Sequence, residues 1–458
     1  MQGFPGRTVL SWLSVALSAA CAGAEIRMGD LDGTAHETYA ARLREAGLHT
    51  TALGRDWLDA SARALAAATD VSLPHHELRY LDPQAASAVA FRVPLEDGQR
   101  FVADVEVSGA NPTGILVFLD LFYQSDSARA PQLVATADSA RWHLDYVVPR
   151  AGGYLLRIQP ELLRGGRVSV RLAAEASLEF PVAGGSVSAV RDRFGVSRDA
   201  GQRAHDGLDL LAPLGTPVLA AAAGRVTQAG TDRLGGNVVW LLDETYGRRL
   251  YYAHLDRHAV DAGARVEAGD TLGFVGTSGN AQGEQPHLHF GVYRRGRGAI
   301  DPYFHLYDPP RATPPFVGDR SLIGRTARAP AQGTALRARP DAAADVVLRL
   351  AGHVPLAVLG GSGQSYFVRT PDGRRGYVGF RALRPLAPLR STSLAAGSAM
   401  WTEPRLGALV IDSLERGRPV TVLGHFDVYA LVAERSGMRG WIRAAAVDGP
   451  AASPGGGS

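Results

Sequence analysis

The sequence is marked first by what it does not contain. Its 458 residues include no lysine and a single cysteine, Cys21, so all 48 basic residues are arginine and no internal disulfide can form. No stretch reaches the roughly 20 consecutive apolar residues that a transmembrane helix requires. No basic run with interleaved aromatic residues occurs and the net charge is only +3, so nucleic-acid binding has no support.

The composition is that of globular domains with many turns. Hydrophobic residues make up 46% of the chain and charged residues 20%, with 54 glycines and 27 prolines. These values favour folded domains rich in short strands, and the length indicates about three domains. We therefore expect a monomeric, mainly β protein with a short helical region near its N-terminus.

The N-terminus has the layout of an export signal. One arginine precedes the apolar stretch TVLSWLSVALSAA, which is too short to span a membrane as a stable helix. A signal at residues 1–24 would end in Ala-Gly-Ala and release a soluble protein. A lipoprotein signal at residues 1–20 would instead make Cys21 the lipidated first residue and anchor the protein to a membrane. Both interpretations place the protein in the periplasm, the cell envelope or the extracellular space.

A change of pattern divides the region that follows. Residues 25–80 have helical or loosely ordered composition, and we expect His75 and His76 at the surface because no metal-binding partner was evident nearby. Strand-like runs at residues 101–107 and at several later positions are separated by turn signals. They predict a β-sandwich over residues 81–180.

The C-terminal part contains an internal repeat. Three marker pairs share an offset of 64 residues, a regularity that chance rarely produces; they are Pro340 with Pro404, Gly360 with Gly424, and Gly376 with Gly440. The two units, residues 331–387 and 388–449, resemble bacterial SH3-like β-barrels, which often anchor hydrolases to peptidoglycan. The marker residues are equally explained by a structural role. The Pro-rich residues 311–330 are predicted to form a linker, and residues 450–458 a disordered tail.

Two short segments place metal-ligating side chains on strands. In HDGLDL, alternation puts His205, Gly207 and Asp209 on one face and the leucines on the other. In PHLHF it does the same for His287 and His289, although an isolated His-x-His is more often a plain half-buried strand. If the two strands pair, His205, Asp209 and His289 form a frequent ligand set for one catalytic zinc ion, with a fourth position left for water. Gly207 would leave room for the metal.

Two further histidines suit assisting roles. His254 lies in the strand-like YYAHLD, and His287 is not needed to complete a three-ligand site. A neutral imidazole can accept the proton of an activated water, and an imidazolium can stabilise an oxyanion and protonate a leaving amine. The pattern therefore favours metal-assisted amide hydrolysis with His254 and His287 as catalytic residues.

In this order the motifs resemble the lysostaphin/LytM-type zinc metallopeptidases. The resemblance covers about residues 188–305 and includes HDGLD, GGNVV, YYAHLD and PHLHF. It implies an antiparallel β-sheet peptidase domain at residues 185–310 that holds Zn2+ and cleaves peptide cross-links of peptidoglycan. Many members have Glu at the position of Gly291, and this position does not bind the metal. Residues 191–204 lack the Tyr that some members use to bind the oxyanion, so that role would fall to a histidine or another group.

Two other functions can be compared with this one. Some LytM-type domains have lost catalysis and activate a cell-wall amidase, but those lack ligands or catalytic histidines that this sequence retains. The hairpin GARVEAGDTLG is similar to those of biotinyl and lipoyl carrier domains, which need a lysine that this sequence does not contain. The sequence thus favours an exported zinc metalloendopeptidase of the cell wall.

Overall fold

The computed structural model describes residues 33–108, 115–125, 130–137, 141–198, 201–309 and 312–448. This part of the chain is mainly β, as predicted, and almost all of its strands pair antiparallel. No helix within these ranges is long and apolar enough to cross a bilayer. The predicted export signal, with Cys21, and the predicted C-terminal tail lie outside the described residues.

Two helices precede the first sheet, α1 (Ala35–Glu45) and α2 (Ala52–Ala66). Thr34 begins α1 with a capping box, in which its side chain and that of the third helical residue each accept a backbone N–H. Trp57 of α2 is buried, and its indole N–H donates to the carbonyl of Pro160 at 2.9 Å. This contact fixes the helices against the sandwich that follows.

The helical region is shorter than the sequence suggested. Two strands already lie before residue 82, β1 (Thr69–Asp70) and β2 (His75–Leu81). The expectation that His75 lies at the surface is wrong, because this side chain is 6% exposed and its Nε2 lies 2.9 Å from Oε2 of Glu77. Alternate residues of β2 are buried, but several of them are charged or polar, so hydrophobic periodicity did not indicate a strand.

The predicted β-sandwich is present and has a single core. Its further strands are β3 (Val89–Leu95), β4 (Arg100–Ser108), β5 (Val117–Gln124), β6 (Gln132–Thr136), β7 (His143–Val147), β8 (Gly152–Pro160) and β9 (Gly166–Glu175). One sheet has the order β1-β3-β8-β5-β6, and the opposite strands follow the order β2-β9-β4-β7. In β9, Val168, Val170 and Leu172 point into the core while the residues between them reach solvent, as period-two alternation requires.

The described part of the central domain has twelve strands, ten in one antiparallel sheet and the second and third in a separate two-stranded sheet. These are β10 (Val190–Asp192), β11 (Ser197–Arg198), β12 (Arg203–Ala204), β13 (Leu208–Leu211), β14 (Pro217–Leu219), β15 (Gly224–Asp232), β16 (Gly236–Asp243), β17 (Arg248–His258), β18 (Arg265–Val266), β19 (Thr271–Val275), β20 (His287–Arg294) and β21 (Gly298–Ile300), followed by α3 (Tyr303–Leu306). The main order is β10-β13-β20-β17-β16-β15-β18. Strand β20 therefore lies between β13 and β17, which brings the three histidine-bearing motifs together. Arg294 and Arg297 donate to Asp97 at 2.8 and 3.2 Å and join this domain to the sandwich.

The C-terminal repeat is confirmed in the fold. The first repeat unit contains β22 (Thr326–Arg328), β23 (Thr334–Arg337), β24 (Val346–Leu350), β25 (Pro355–Ser362), β26 (Ser365–Arg369), β27 (Arg375–Gly379) and β28 (Arg384–Pro385); the second contains β29 (Arg390–Ser393), β30 (Ser398–Trp401), β31 (Val410–Leu414), β32 (Pro419–Phe426), β33 (Tyr429–Ala433), β34 (Arg439–Arg443) and α4 (Ala445–Asp448). The five strands β30–β34 begin and end 64 residues after β23–β27. The two units are thus copies of one supersecondary structure.

The segment predicted as a linker is not a free tether. Phe316, Leu322 and Ile323 are buried in the core of the first repeat unit. Moreover, β2 of the sandwich pairs with β25, so that one continuous sheet runs through both domains. The prolines marked a change of domain but did not indicate that the two domains share a sheet.

We call the junction between the sandwich and the first repeat unit the seam. A buried ionic cluster lies at this junction. Glu77 of β2 is fully buried and lies 2.8 Å from Arg79 and 2.9 Å from His75. The hydroxyl of Tyr377, from the first repeat unit, donates to the same carboxylate at 3.1 Å. The guanidinium of Arg79 also lies over the ring of Phe367, 3.7 Å from its centroid. A buried carboxylate needs such partners, so the sandwich and the first unit depend on each other at the seam.

Candidate metal centre and active site

Two neighbouring strands place the predicted ligands opposite each other. In the β13–β20 ladder, Asp209 pairs directly with His289. The alternate residues Leu208, Leu288 and Phe290 are fully buried in the core behind the sheet. Because side chains alternate across a strand, burying the apolar set turns the carboxylate and the imidazole to the same outer face.

The three predicted metal ligands converge. Nε2 of His205, Oδ1 of Asp209 and Nδ1 of His289 are each 3.0 Å from the other two. Four-coordinate zinc with bonds of about 2.0–2.2 Å needs ligand atoms roughly 3.3 Å apart or slightly more, so the side chains would need to separate by only a few tenths of an ångström to hold it. The structure thereby brings together the set that the sequence predicted, and the three atoms form a group able to hold a metal ion.

Contacts behind the ligands orient them. Nδ1 of His205 lies 2.8 Å from the carbonyl of Arg193, and since a carbonyl only accepts, this nitrogen carries the hydrogen and leaves the lone pair of Nε2 for a metal. Nη2 of Arg198 donates to Oδ2 of Asp209 at 2.6 Å and to Asp192 at 3.0 Å. Oδ2 is therefore engaged, and Oδ1 is the oxygen that faces the two imidazoles.

The electrostatics of the site keep the Asp209 carboxylate ionised and favour the neutral form of the His289 imidazole. Burial opposes ionisation of Asp209, but hydrogen bonding with His205 and His289 holds its pKa well below the usual range. Burial also lowers the pKa of His289. A carboxylate oxygen beside two imidazole nitrogens is the donor chemistry that a divalent cation such as zinc takes, so the residues fit the metal implied by the sequence.

His254 is held beside the ligands by its backbone and its ring. It follows Ala253, which pairs with His289, and it adopts a left-handed φ of 63°. Its N–H donates to the carbonyl of Gly235 at 2.7 Å, and its Nδ1 donates to the carbonyl of Ser278 at 2.9 Å. Burial lowers the pKa of His254 to about 4. The ring is therefore neutral at pH 7, and Nε2 carries a free lone pair.

His287 begins β20 and shares the outer face with His289, as predicted. Its Nδ1 donates to the carbonyl of Gln285 at 2.8 Å, which leaves the lone pair on Nε2. That nitrogen lies 4.0 Å from Oδ1 of Asp209. The ring centroids of His287 and His254 are 5.1 Å apart. Both assisting imidazoles thus lie next to the ligand group without belonging to it.

The role expected of Gly207 needs correction. A β-carbon at this position would lie 2.9 Å from the ring of His289 and would collide with the carbonyl oxygen of Phe290. Gly207 therefore leaves room for a ligand's imidazole and for the neighbouring strand, and not for the metal itself. Spacing on a single strand could not distinguish these two explanations.

The site opens into a cleft of about 710 Å3. The sequence predicted its metal-binding and catalytic residues but not its aromatic and arginine lining. Tyr251, whose hydroxyl donates to Asp232 at 2.8 Å, and Trp240 form an aromatic wall beside the ligands. Arg198 and Arg203 line the cleft near the first ligand. No sequence pattern indicated these arginines, because a charged side chain whose partner lies on a different strand leaves no local pattern.

Comparison with known proteins agrees with this geometry. Residues 203–302 match the family model described as Peptidase family M23. Lysostaphin of Staphylococcus staphylolyticus is 28% identical over 199 residues, which are 36% of this chain and 41% of that protein. Peptidoglycan DD-endopeptidase ShyC of Vibrio cholerae serotype O1 is 40% identical over 89 residues, or 19% of this chain and 20% of that protein.

The match to the family model lies within the central domain. The chain spans about two fifths or less of the length of these curated relatives. The solved catalytic domain of lysostaphin from Staphylococcus simulans is 31% identical and covers 24% of this chain and 86% of its own, with a TM-score of 0.22. With its ligand group and its matching segment, the central part of this chain is a domain of Peptidase family M23, of the lysostaphin and LytM type.

Proposed function

We propose that the central domain is a zinc metalloendopeptidase that hydrolyses peptide bonds of bacterial peptidoglycan. The observation that carries the proposal is the group of three donor atoms 3.0 Å apart with two further imidazoles beside it. A relative named as a peptidoglycan endopeptidase supports the choice of substrate. His205, Asp209 and His289 are the proposed ligands of one zinc ion per chain.

The reaction needs an activated water, a stabilised oxyanion and a protonated leaving group. A zinc ion bound by the three ligands would supply Lewis acidity, which polarises the scissile carbonyl and makes water a better nucleophile at neutral pH. Nε2 of His254 accepts a proton from the attacking water, because its lone pair is free at pH 7. The resulting imidazolium is a strong acid and passes the proton to the leaving amine nitrogen.

The second imidazole completes the arrangement on the same face. Nε2 of His287 lies beside Oδ1 of Asp209, close to where the scissile carbonyl must sit to meet the ligand group. An imidazole that gains a proton there can donate a hydrogen bond to the developing oxyanion. His287 thereby takes the role for which residues 191–204 offer no tyrosine.

The flanking regions suit an enzyme that works outside the cytoplasm. We propose that the chain is exported through the N-terminal signal, as a soluble protein or with Cys21 lipidated, and that it acts as a monomer. The two repeat units are proposed to be SH3-like modules that hold the enzyme on the cell wall. Both units have the same antiparallel strand arrangement and a core of their own, although the sheet of the first unit continues into the sandwich; this supports a class of small β-barrel.

The proposal is tested by direct hydrolysis. Purified residues 25–458 are incubated with defined cross-linked muropeptides, with added zinc or after chelation, and the products are identified by mass spectrometry. We expect cleavage of one type of peptide bond that chelation stops and zinc restores. A parent protein that binds zinc, leaves every muropeptide intact and stimulates a cell-wall amidase would instead be a non-catalytic activator.

A further inference from the structure

A second cleft lies at the seam, away from the metal centre. It has a volume of about 730 Å3, and its lining shares no residue with that of the active-site cleft. The sandwich supplies one wall, including Pro74 and His75, and the first repeat unit supplies the other, including Phe380. A volume of a few hundred Å3 between two domains is typical of ligand sites. The cleft exists only because β2 pairs with β25.

The charge of this cleft is positive. Arg339 and Arg381 lie on its rim, both are exposed, and neither forms an ion pair within the described residues. Of the two acidic residues of the lining, Asp70 accepts from Arg92 at 3.0 Å, whereas Asp341 accepts the backbone N–H two residues later and keeps its charge. With Arg337 the lining has three arginines, so the basic groups still outnumber the acidic ones. Two guanidinium groups therefore face the cleft without a carboxylate of their own.

The second repeat unit provides an internal comparison. Because the units share an offset of 64 residues, Arg339 corresponds to Glu403 and Arg381 to Ala445. Glu403 pairs at 2.6 Å with Arg405, so this loop carries no excess charge. The positive rim is thus not a by-product of the repeated fold but is confined to the copy that meets the sandwich.

The strand edge that pairs with the sandwich in the first unit has a different partner in the second unit. In the first unit, Gly361 of β25 pairs with Leu78 of the sandwich. At the corresponding position of β32, the N–H of His425 donates to the carbonyl of His353 in the first unit, at 3.2 Å. The second unit therefore contacts the first unit where the first contacts the sandwich, and it lacks the wall that would complete such a cleft.

We propose that the seam cleft binds a carboxylate-bearing peptide, namely the peptide stem of peptidoglycan. Guanidinium groups recognise carboxylates through paired, charge-assisted hydrogen bonds, and the apolar surfaces of Pro74, Pro314 and Phe380 suit the body of an extended peptide. This proposal rests on the proposed function for the identity of the polymer. The cleft holds a stem peptide while the active centre, on another domain, acts on a cross-link.

The test uses the full chain and an uncrosslinked tetrapeptide stem with free carboxylates. We expect the double variant Arg339→Gln/Arg381→Gln to bind this probe at least tenfold more weakly than the parent, measured by calorimetry at low salt. The control Arg435→Gln removes an exposed arginine from the second unit and should bind as the parent does. A probe with amidated carboxylates should bind the parent as weakly as the free stem binds the double variant.

The outcomes separate this proposal from the proposed function. Equal affinity of the parent and the double variant for the free stem overturns the seam cleft as a binding site, even if the parent cleaves cross-linked muropeptides. Tight binding of the amidated probe overturns the carboxylate as the recognised group. If the parent cleaves no muropeptide but the double variant still loses affinity, the proposed function fails and the seam cleft stands. Matching thermal unfolding curves confirm that both proteins are folded.

Discussion

Replacing His254 by alanine should remove most of the turnover and leave the metal in place. The imidazole is 8% exposed, and its Nε2 carries a free lone pair beside the ligand group. Loss of a positioned general acid–base group typically lowers the rate by two to four orders of magnitude, or about 3–5 kcal/mol of transition-state stabilisation. The left-handed backbone, with φ of 63°, burdens alanine about as much as histidine, so the change reports on the side chain.

The assay compares four variants with the parent for kcat, KM and bound metal. His258→Ala is the matched control, because His258 lies on the same strand, is half-buried and contacts the carbonyl of Val238 without lining the cleft. We expect His258→Ala to retain near-parental activity and His254→Ala to lose kcat with one metal ion still bound. His287→Ala should behave like His254→Ala, and the double variant should lose less than the sum, since both groups serve one step.

Three results would refute this reasoning. Near-parental cleavage by His254→Ala would show that another group accepts the proton. Loss of the metal from His254→Ala, measured by elemental analysis, would show that the imidazole belongs to the ligand set and is not an assisting group. A loss of activity equal to that of the control His258→Ala would indicate a general effect on the strand.

Further predictions follow from single contacts. His289→Ala should lose the bound metal, and stoichiometric zinc in this variant would exclude the ligand assignment. Gly207→Ala should weaken metal binding by displacing the ring of His289 and the strand at Phe290, which a metal titration measures. Tyr377→Phe should cost about 1.5–3 kcal/mol by removing a hydrogen bond to a buried carboxylate, seen in thermal unfolding of the seam, whereas Tyr429→Phe, which loses no such bond, should not.

The proposed metal-ligand group was predictable because side chains alternate between the two faces of its strands. Leu208, Leu288 and Phe290 fix the core-facing side, so the opposite side chains must share a face whatever the rest of the domain does. The pairing of Asp209 with His289 then followed from assuming that the two strands are neighbours. Alternation carries this information locally, and no distant contact was needed to find it.

The seam was not predictable for the converse reason. The buried face of β2 carries His75, Glu77 and Arg79, so hydrophobicity does not alternate along it. The buried charges of this strand find partners in a hydroxyl and an aromatic ring of the first repeat unit, far away in the sequence. The contact of Arg198 with Asp209 was missed similarly, because ion pairs between strands leave no periodic pattern in the sequence.

The seam also has a consequence for how the chain folds. Leu78 pairs with Gly361, a partner about 280 residues later, so the edge of β2 must wait for most of the protein to be synthesised. Closing so long a loop is slow compared with forming local hairpins. The sandwich and the central domain can fold first, in the order of synthesis, and then present β2 as a template for β25. Until then, the edge of β2 that later pairs with β25 is exposed. Aggregation competes with folding at this step.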